Sequence, residues 1–159
     1  MSPTEAYPVY KVKFKLSIQD PDMPSPRHHT ILFVQTNERP CSGIKHHVTG
    51  DIVTGMHYES VGIDDPAIDD NFFSTELLGH TKSLNYPRNW DDILKLLPAP
   101  PKQKAFNINT MRTEPVKCWE PLAFYEAGEA RRPLVKCTEW IDRHAVPTLT
   151  NAGLIECSL

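Results

Sequence analysis

The sequence has no excess of positive charge, no long apolar run and no clustered cysteines. Its 17 Lys and Arg against 20 Asp and Glu give a net charge of -3, so nucleic acid and anionic membranes are not expected as partners. No stretch approaches the length of a transmembrane helix, which predicts that the chain does not insert stably into a membrane. The four cysteines form no CxxC pair and no dense disulfide pattern, which favours reduced thiols.

The N-terminal residues 1–5 contain neither a basic start nor an apolar run. No secretory signal is therefore recognised, and we expect a cytoplasmic location. The chain has 159 residues, 40% of them hydrophobic and 23% charged, which fits one globular domain over residues 1–159. The 15 prolines fall mostly in connections, and they predict long, rigid loops between short elements.

Strand patterns dominate the first half of the chain. Residues 7–18 alternate apolar side chains with lysines, as a strand with one solvated face does. Residues 29–35 are almost entirely apolar, which is typical of a strand buried on both faces. Residues 44–49 and 56–61 follow across turn-rich segments, so these three strands are expected to form an antiparallel meander. A further strand is predicted around residues 75–81.

Two helical segments complete an α+β pattern. Asn89 is a good N-cap for a short helix. A longer helix is expected over about residues 134–152, with Gly153 as its C′ residue. Pro147 lies inside this helix and should kink or split it, because proline lacks the N–H group that the helix needs there.

Two of the predicted strands each carry a pair of adjacent histidines, His28 with His29 and His46 with His47. If Ile31 stands opposite His47 in an antiparallel hairpin, His29 and His47 share one face as diagonal neighbours, because side chains alternate between faces. His28 and His46 then share the other face. A slip of one residue or a bulge would break this correspondence, so the residues alone leave both pairs as candidates.

The histidines are also considered as metal ligands. Their spacing matches no ordinary zinc pattern, and no acidic or thiol ligand lies two or three residues away, so no metal site is predicted. The acidic segment DDPAIDD at residues 64–70 lacks the ordered ligand spacing of a calcium loop and is interpreted as a solvated connection. No cofactor is expected.

Cys137 lies at the expected first turn of the last helix. Unpaired N–H groups and the helix dipole favour an anion there, which disposes a thiol to ionise. Cys118 is the rival nucleophile. It lies in residues 102–132, whose pattern assigns no element; a loop that crosses the sheet is one interpretation of this stretch, and it would deliver Cys118 and Trp119. Cysteine is also a common small core residue, so a structural role stays open. A thiol beside an imidazole that a second polar group orients is the minimum equipment for cysteine nucleophilic catalysis.

Three segments, taken in order, resemble the circularly permuted branch of the NlpC-type papain-like superfamily, whose best-known members are the lecithin:retinol acyltransferase-like proteins. The segments are HTILFV at residues 29–34, HVTG at residues 47–50 and KCTEWI at residues 136–141. They correspond to the first histidine strand, the second histidine strand and the cysteine helix of that branch. This resemblance covers the three motifs.

The layout of the chain is also similar to that of a family of small proteins from filamentous fungi. The shared features are the histidine strand, the HVTG segment, the strand GMHYE at residues 55–59 and the Cys-x-Glu-Trp helix. This second resemblance covers the chain from about residue 8 to residue 155.

The first resemblance implies a papain-like α+β fold, in which an antiparallel sheet packs against a C-terminal helix that bears the cysteine. It implies that Cys137 is the nucleophile, His29 the general base and His47 the residue that orients His29. A cysteine-dependent hydrolase or acyltransferase acting on an amide, ester or thioester carbonyl follows from these roles. Lys136 and Glu139 depart from the motif, which has Asn and His at their places.

The expected substrate is a soluble small molecule or peptide, because the sequence has no counterpart of the membrane helix that the acyltransferases carry. The alternative is a binding or regulatory protein on the same fold with little or no catalysis. In that interpretation the Pro-rich loops and an exposed Trp90 or Trp119 would form a partner surface. Loop rigidity and core packing are the favoured roles of these residues.

Overall fold

The structure is a computed structural model that describes residues 5–157. Residues 1–4, which are most of the segment assessed for a secretory signal, and residues 158–159 lie outside the described residues. The described chain forms two antiparallel sheets and a C-terminal helix, which confirms the mixed α+β class. None of the helices in residues 5–157 has both the length and the apolar character needed to cross a membrane.

The main sheet has five strands in the order β4-β3-β2-β1-β5, and all neighbours are antiparallel. The predicted meander is confirmed as β2, β3 and β4, although each strand is longer than its apolar run. The strands are β1 Ala6–Lys15, β2 His28–Glu38, β3 Cys41–Asp51, β4 Gly55–Asp64 and β5 Phe72–Lys82.

Strand β2 is central, and its two faces pack into separate cores. Leu32 and Val34 face the C-terminal helix, in a core that also contains Val9 and Val48. Ile31 and Phe33 face the opposite side, in a second core that also contains Val12. Residues 64–71 pass over this side of the sheet. Both faces are therefore buried, as the unbroken apolar run of β2 predicts.

The β2–β3 hairpin has the register in which His29 and His47 share a face. Leu32 pairs with His46, so alternation places His29 and His47 together on the side away from the helix. The register shift in this ladder lies nearer the turn and leaves that correspondence intact.

Strands β2 and β3 separate beyond the Leu32–His46 pair. Their ladder ends at that pair, although β3 goes on pairing with β4 to the ends of both strands. The backbone edge of β2 at His28 and Thr30 is thus without β3 as a partner. Since buried backbone groups need hydrogen-bond partners, another element must fill this place.

Two short or interrupted helical segments pack on the β2 face of Leu32 and Val34. Helix α1 is Arg88–Leu94, which begins one residue before the predicted N-cap Asn89. The final segment consists of α2 Cys137–Trp140, a π-turn Ile141–Ala145 and α3 Val146–Asn151. Cys137 is its first residue, later than the predicted start at residue 134.

The predicted break at Pro147 takes the form of the π-turn. The N–H of Val146 bonds to the carbonyl of Ile141, five residues earlier. The wider turn accommodates a ring that would clash with an α-helical carbonyl and cannot donate to it. The segment ends as predicted, with Gly153 at φ +75 just beyond Ala152, a conformation that favours glycine.

A second, three-stranded sheet occupies the region that the sequence indicates as a crossing loop. Its strands are β6 Lys104–Asn107, β7 Arg112–Trp119 and β8 Leu122–Phe124. The loop interpretation is wrong because these strands are short and Pro115 interrupts the pattern of β7. Cys118 is exposed on this small sheet, so it is not carried across the main sheet.

A buried ion cluster ties the small sheet to the start of the final helix. Lys104 of β6 is 6% exposed, and its Nζ lies 3.0 Å from Asp20 and 2.7 Å from Asp22. Asp20 also pairs at 2.9 Å with Lys136, the residue before Cys137. Burial would raise the pKa of Asp20, but the backbone N–H of Asp22 and the two lysines lower it to about 2.

We expect Lys104→Ala to lower the free energy of unfolding by about 3 kcal/mol, because it removes a cation from buried carboxylates. Urea denaturation measures this loss. Lys117→Ala is the matched control on the same small sheet, since its ion pair with Glu129 is solvent-exposed and should contribute little. Equal losses in the two variants would contradict a stabilising role for the buried cluster.

Candidate functional site

His29 and His47 are in direct contact. His29 Nε2 lies 3.2 Å from His47 Nδ1, and the two rings meet edge to face with centroids 5.4 Å apart. Strand alternation supplies the shared face, on which the two histidines are diagonal neighbours. The structure thus brings together the two histidines that the resemblance singles out.

Glu59 fixes the tautomers of this pair. His47 Nε2 lies 3.1 Å from the Glu59 carboxylate, which can only accept, so Nε2 carries the hydrogen and Nδ1 of neutral His47 is an acceptor. His29 Nε2 must then donate to His47 Nδ1, and the lone pair of neutral His29 is on its Nδ1. Within residues 5–157 this Nδ1 has no hydrogen-bond partner.

The pKa shifts agree with this protonation pattern. Burial, with smaller contributions from His47 and Lys45, lowers the pKa of His29 from 6.5 to about 4. Burial also lowers the pKa of His47, against the opposing hydrogen bond to Glu59. The hydrogen bond from His47 lowers the pKa of Glu59. At neutral pH the carboxylate is therefore charged and both rings are neutral, which makes His29 Nδ1 a base.

Cys137 fills the place that β3 leaves beside β2. It is 6% exposed, and its Sγ lies 3.5 Å from the N–H of Thr30 and 3.8 Å from the carbonyl of His28. These backbone groups point along the plane of the sheet. The sulfur is therefore at the level of the sheet, beside the backbone of His29, although no hydrogen bond within residues 5–157 joins it to the His29 ring.

The start of the cysteine helix is held by side chains on both sides. Glu139 accepts the N–H of Lys136 at 2.7 Å and receives two hydrogen bonds from the Arg27 guanidinium at 2.9 and 3.1 Å. The hydroxyls of Thr138 and Thr30 lie 2.8 Å apart. Glu139, which stands where the motif has a histidine, thus anchors the helix start instead of facing the histidine pair.

His28 and His46, the alternative pair, are not in contact with each other. The ring of His28 stacks on Phe73 with centroids 4.1 Å apart. His46 is fully buried, and its two nitrogens each lie 2.6 Å from a tyrosine hydroxyl, Tyr58 on one side and Tyr86 on the other. The two histidine pairs of the sequence therefore have different structures.

The His46 network is closed. Tyr58 donates to Asp91 at 2.7 Å, so it accepts from His46 Nδ1, and His46 Nε2 in turn accepts from Tyr86. Burial lowers the pKa of His46 to about 4, although the charge of Asp91 opposes this shift. With both nitrogens occupied, His46 has no lone pair for a substrate, and its role is to fasten α1 to the sheet.

Trp90 is buried, so the interpretation of Trp90 as an exposed partner-binding residue is wrong. Helix α1 turns its ring into the core at 0% exposure, where Nε1 donates to Thr81 at 3.0 Å. Trp119 is partly exposed, and the ammonium of Lys102 lies 4.6 Å from its ring centroid.

A cavity of about 470 Å³ opens beside His29 on the face away from the helix. It lies between the sheet and residues 64–71, the acidic segment interpreted as a solvated connection. Its floor is apolar and includes Phe14 and Ile63, and Pro66 and Ile68 come from the overlying segment. Of the predicted triad, His29 is the member that lines this cavity.

The other described thiols are poorer nucleophile candidates. Burial and the neighbouring Asp65 raise the pKa of Cys41. Cys118 and Cys157 are exposed, and neither forms a hydrogen bond with His29 or His47 within residues 5–157. No group of three His, Cys, Asp or Glu side chains within residues 5–157 is arranged to hold a metal ion.

The chain belongs to a family of unknown function, DUF6540, whose profile matches residues 16–156. No curated protein and no solved structure matches the sequence. Any chemistry assigned to the site therefore has to come from the residues themselves.

Glu59 is the site residue that sequence reasoning missed. It lies in the GMHYE strand, and in the β3–β4 hairpin it stands directly opposite His47. Extending the predicted meander register by one strand would have identified it, because directly opposed residues share a face. Tyr86 and Asp91 carry no comparable signal, since tertiary packing of α1 and of the turn before it brings them to His46.

We expect the stability of the protein to fall as pH decreases from about 6.5 to about 4. His29 and His46 have a pKa of about 4 in the folded chain against an ordinary value of 6.5, so in this window the unfolded chain binds protons that the folded chain does not. Urea denaturation across the window measures the slope. His29→Gln should reduce the slope, whereas the exposed His57→Gln should not; an unchanged slope in His29→Gln would contradict the lowered pKa.

Proposed function

We propose that this chain is a cysteine-dependent hydrolase or acyltransferase on a papain-like fold of the permuted NlpC type. In this proposal Cys137 is the nucleophile, His29 the general base and His47 the residue that orients His29. Glu59 is added as a fourth member that fixes the tautomer of His47. The substrate is an amide, ester or thioester of a soluble small molecule or peptide.

The observation that carries the proposal is the direction of the Glu59–His47–His29 chain. Every hydrogen in it is assigned, and the one lone pair left over is on His29 Nδ1. Cys137 contacts the backbone of the residues on either side of His29. A thiol thus lies next to the strand position whose imidazole is prepared to accept a proton.

The chemistry proceeds in two transfers. His29 Nδ1 takes the Sγ proton, and the thiolate attacks the carbonyl carbon to give an acyl thioester after His29 protonates the leaving group. A second nucleophile then loses its proton to His29 and displaces the thiol. The N–H of Cys137, which as the first helical residue has no intrahelical acceptor, would hold the developing oxyanion. Hydrogen bonds between a nucleophile and its base often form fully only in the substrate complex. A hydrogen bond from Cys137 Sγ to His29 Nδ1 is therefore expected when substrate is bound.

The alternative is a binding or regulatory protein with little or no catalysis. One observation favours it: Cys137 is almost fully buried and its sulfur contacts backbone groups, as a structural core thiol would. The two functions differ in the reactivity of this thiol, which can be measured without knowing a substrate.

We expect Cys137 to alkylate faster than Cys118 near pH 6, because His29 Nδ1 can take its proton. An ordinary thiol is only about 0.3% ionised at that pH. Iodoacetamide labelling with peptide mapping gives the rate for each cysteine against pH. Cys118, which is exposed, is the reference within the same molecules. His29→Ala should lower the Cys137 rate at least about tenfold, because it removes the base.

His57→Ala is the matched control, since His57 is an exposed histidine on β4 outside the chain of hydrogen bonds. Its Cys137 rate should equal that of the wild type. If Cys137 reacts no faster than Cys118 in the wild type, or if His29→Ala leaves its rate unchanged, the catalytic proposal fails and the binding function stands.

Glu59→Gln should lower the Cys137 alkylation rate near pH 6 by about tenfold while leaving the fold intact, because a neutral amide no longer fixes the hydrogen on His47 Nε2. His29 can then carry its hydrogen on Nδ1, where it cannot accept a proton. Glu76→Gln, an exposed carboxylate on β5, is the control. A rate in Glu59→Gln equal to that of this control would show that the carboxylate does not act through the histidines.

A further inference from the structure

We propose that a second cavity, on the small sheet, is a binding site for a flat organic anion such as an aromatic carboxylate. This small-sheet cavity is lined by Tyr125 and by residues of β7 and of segments 101–103 and 132–135. Neither Cys137 nor any member of the histidine chain lines it. The site is therefore independent of the proposed catalysis, and it gives a ligand to a part of the protein that the catalysis does not use.

The cavity has the size and the apolar walls of a small-molecule site. Its volume is about 320 Å³, within the range of about 300 to 1,000 Å³ that ligand pockets have. The rings that line it are Trp119, Tyr125, Pro101, Pro115 and Pro133. Such side chains lose little conformational freedom when a ligand packs against them. The walls therefore suit a flat apolar body.

Both charged side chains of the lining are cations. They are Lys102 and Arg132, and within residues 5–157 neither of them forms an ion pair with a carboxylate. Glu129, from the loop after Tyr125, is neutralised by its ion pair with Lys117 and does not line the cavity. The cavity is therefore positively charged, which complements an anion.

The ring of Trp119 holds the Lys102 ammonium at the cavity. Lys102 Nζ lies 4.6 Å from the ring centroid, which is a cation–π contact. Because the ring has no net charge, this contact positions the ammonium without neutralising it. The loss of side-chain freedom that an anion would otherwise impose on the lysine is thus partly made before the anion binds.

The side-chain groups that remain available in the lining are donors. The Gln103 amide accepts the N–H of Val135 at 2.9 Å and donates to its carbonyl at 2.8 Å, so it is used in both directions. The Tyr125 oxygen accepts the N–H of Arg132 at 3.1 Å, which leaves its own hydrogen for an acceptor.

The Arg132 guanidinium is fixed and still has donors to offer. One of its nitrogens donates to two carbonyls of β7 at 2.7 and 3.2 Å. Its remaining guanidinium N–H groups have no acceptor in the part of the chain that the structure describes. A carboxylate, which only accepts, fits this set of donors.

The class of ligand follows from the walls and the charge together. A cation of the same shape would meet two like charges, at Lys102 and Arg132. A neutral molecule would gain the apolar contacts without charge-assisted hydrogen bonds, which are roughly twice as strong as neutral ones. An inorganic anion would leave the aromatic rings and prolines unused. A flat organic anion uses both features of the cavity.

Titration of naphthoate into the isotope-labelled protein, followed by NMR, tests the site. We expect a saturable shift of the indole N–H signal of Trp119. The signal of Trp90, which is buried and donates to Thr81, should stay unchanged. Naphthamide has the same body without the charge and should bind at least about tenfold more weakly. Acetate has the charge without the body and should not shift the Trp119 signal at the same concentrations.

Lys102→Met should weaken naphthoate binding at least about fivefold and leave naphthamide binding unchanged, because it removes the charge and keeps most of the apolar stem. Lys95→Met is the matched control, since Lys95 is exposed and does not line the cavity. It should bind both compounds as the wild type does. A tenfold increase in salt, to about 0.5 M, should weaken naphthoate binding and not naphthamide binding.

Trp119→Ala should weaken the binding of both compounds at least about fivefold, because it removes an apolar wall and the contact that positions Lys102. An unchanged Trp90 signal checks that this variant is folded. Tyr125→Phe is a second variant, which keeps the ring and removes the donor. It should weaken naphthoate binding about threefold, the usual effect of one hydrogen bond.

The proposal is overturned if naphthoate shows no saturable binding, if naphthamide binds as tightly, or if acetate shifts the Trp119 signal as strongly. It is also overturned if Lys102→Met binds naphthoate as tightly as Lys95→Met does, or if neither Trp119→Ala nor Tyr125→Phe changes the affinity. None of these results depends on the reactivity of Cys137, so this site and the proposed catalysis are tested separately.

Discussion

The separation of β2 from β3 beyond Leu32 and His46 is the constraint on which the site depends. A continuous ladder would satisfy the β2 edge with β3 backbone and would leave no place for a sulfur atom. Because the ladder ends, the backbone of β2 takes Cys137 as its partner instead. Strand alternation places the His29 and His47 rings together on one face beside this gap. The interruption of hydrogen bonding thus gives the thiol its place next to the strand position of His29.

Two adjacent histidines on one strand illustrate how neighbours determine chemistry. His46 and His47 both have a lowered pKa, mainly through burial. His46 is enclosed between two tyrosines that use both of its nitrogens, so its network is complete and rigid. His47 donates to a carboxylate at one nitrogen and accepts from His29 at the other. Both of its nitrogens are therefore in use, and the unused lone pair of the two rings is on His29 Nδ1. Strand alternation assigns each ring to its face, and the partners on that face then decide between packing and reactivity.

The sequence predicts the parts of this protein that depend on local periodicity. The meander, the two candidate histidine pairs and the position of Cys137 in the first turn of a helix follow from alternation, turn residues and helix boundaries. The choice of His29 and His47 between those pairs came from the resemblance. The small sheet does not follow, because the pairing of its short strands depends on tertiary packing. Glu59 was within reach, since it stands opposite His47 in the next hairpin. The cavity was not, because it exists only where residues 64–71 fold over the sheet.

The contact between the Cys137 sulfur and the β2 backbone has a consequence for sequence drift. The N–H of Thr30 and the carbonyl of His28 belong to the main chain, which every residue type except proline supplies in full. The location of the sulfur is therefore inherited with the path of the strand rather than with the side chain at position 28. Relatives whose residue types have diverged at this position can keep the same thiol position. They are better recognised by an early end of the hydrogen-bonded ladder between the two strands than by the residues of the motif.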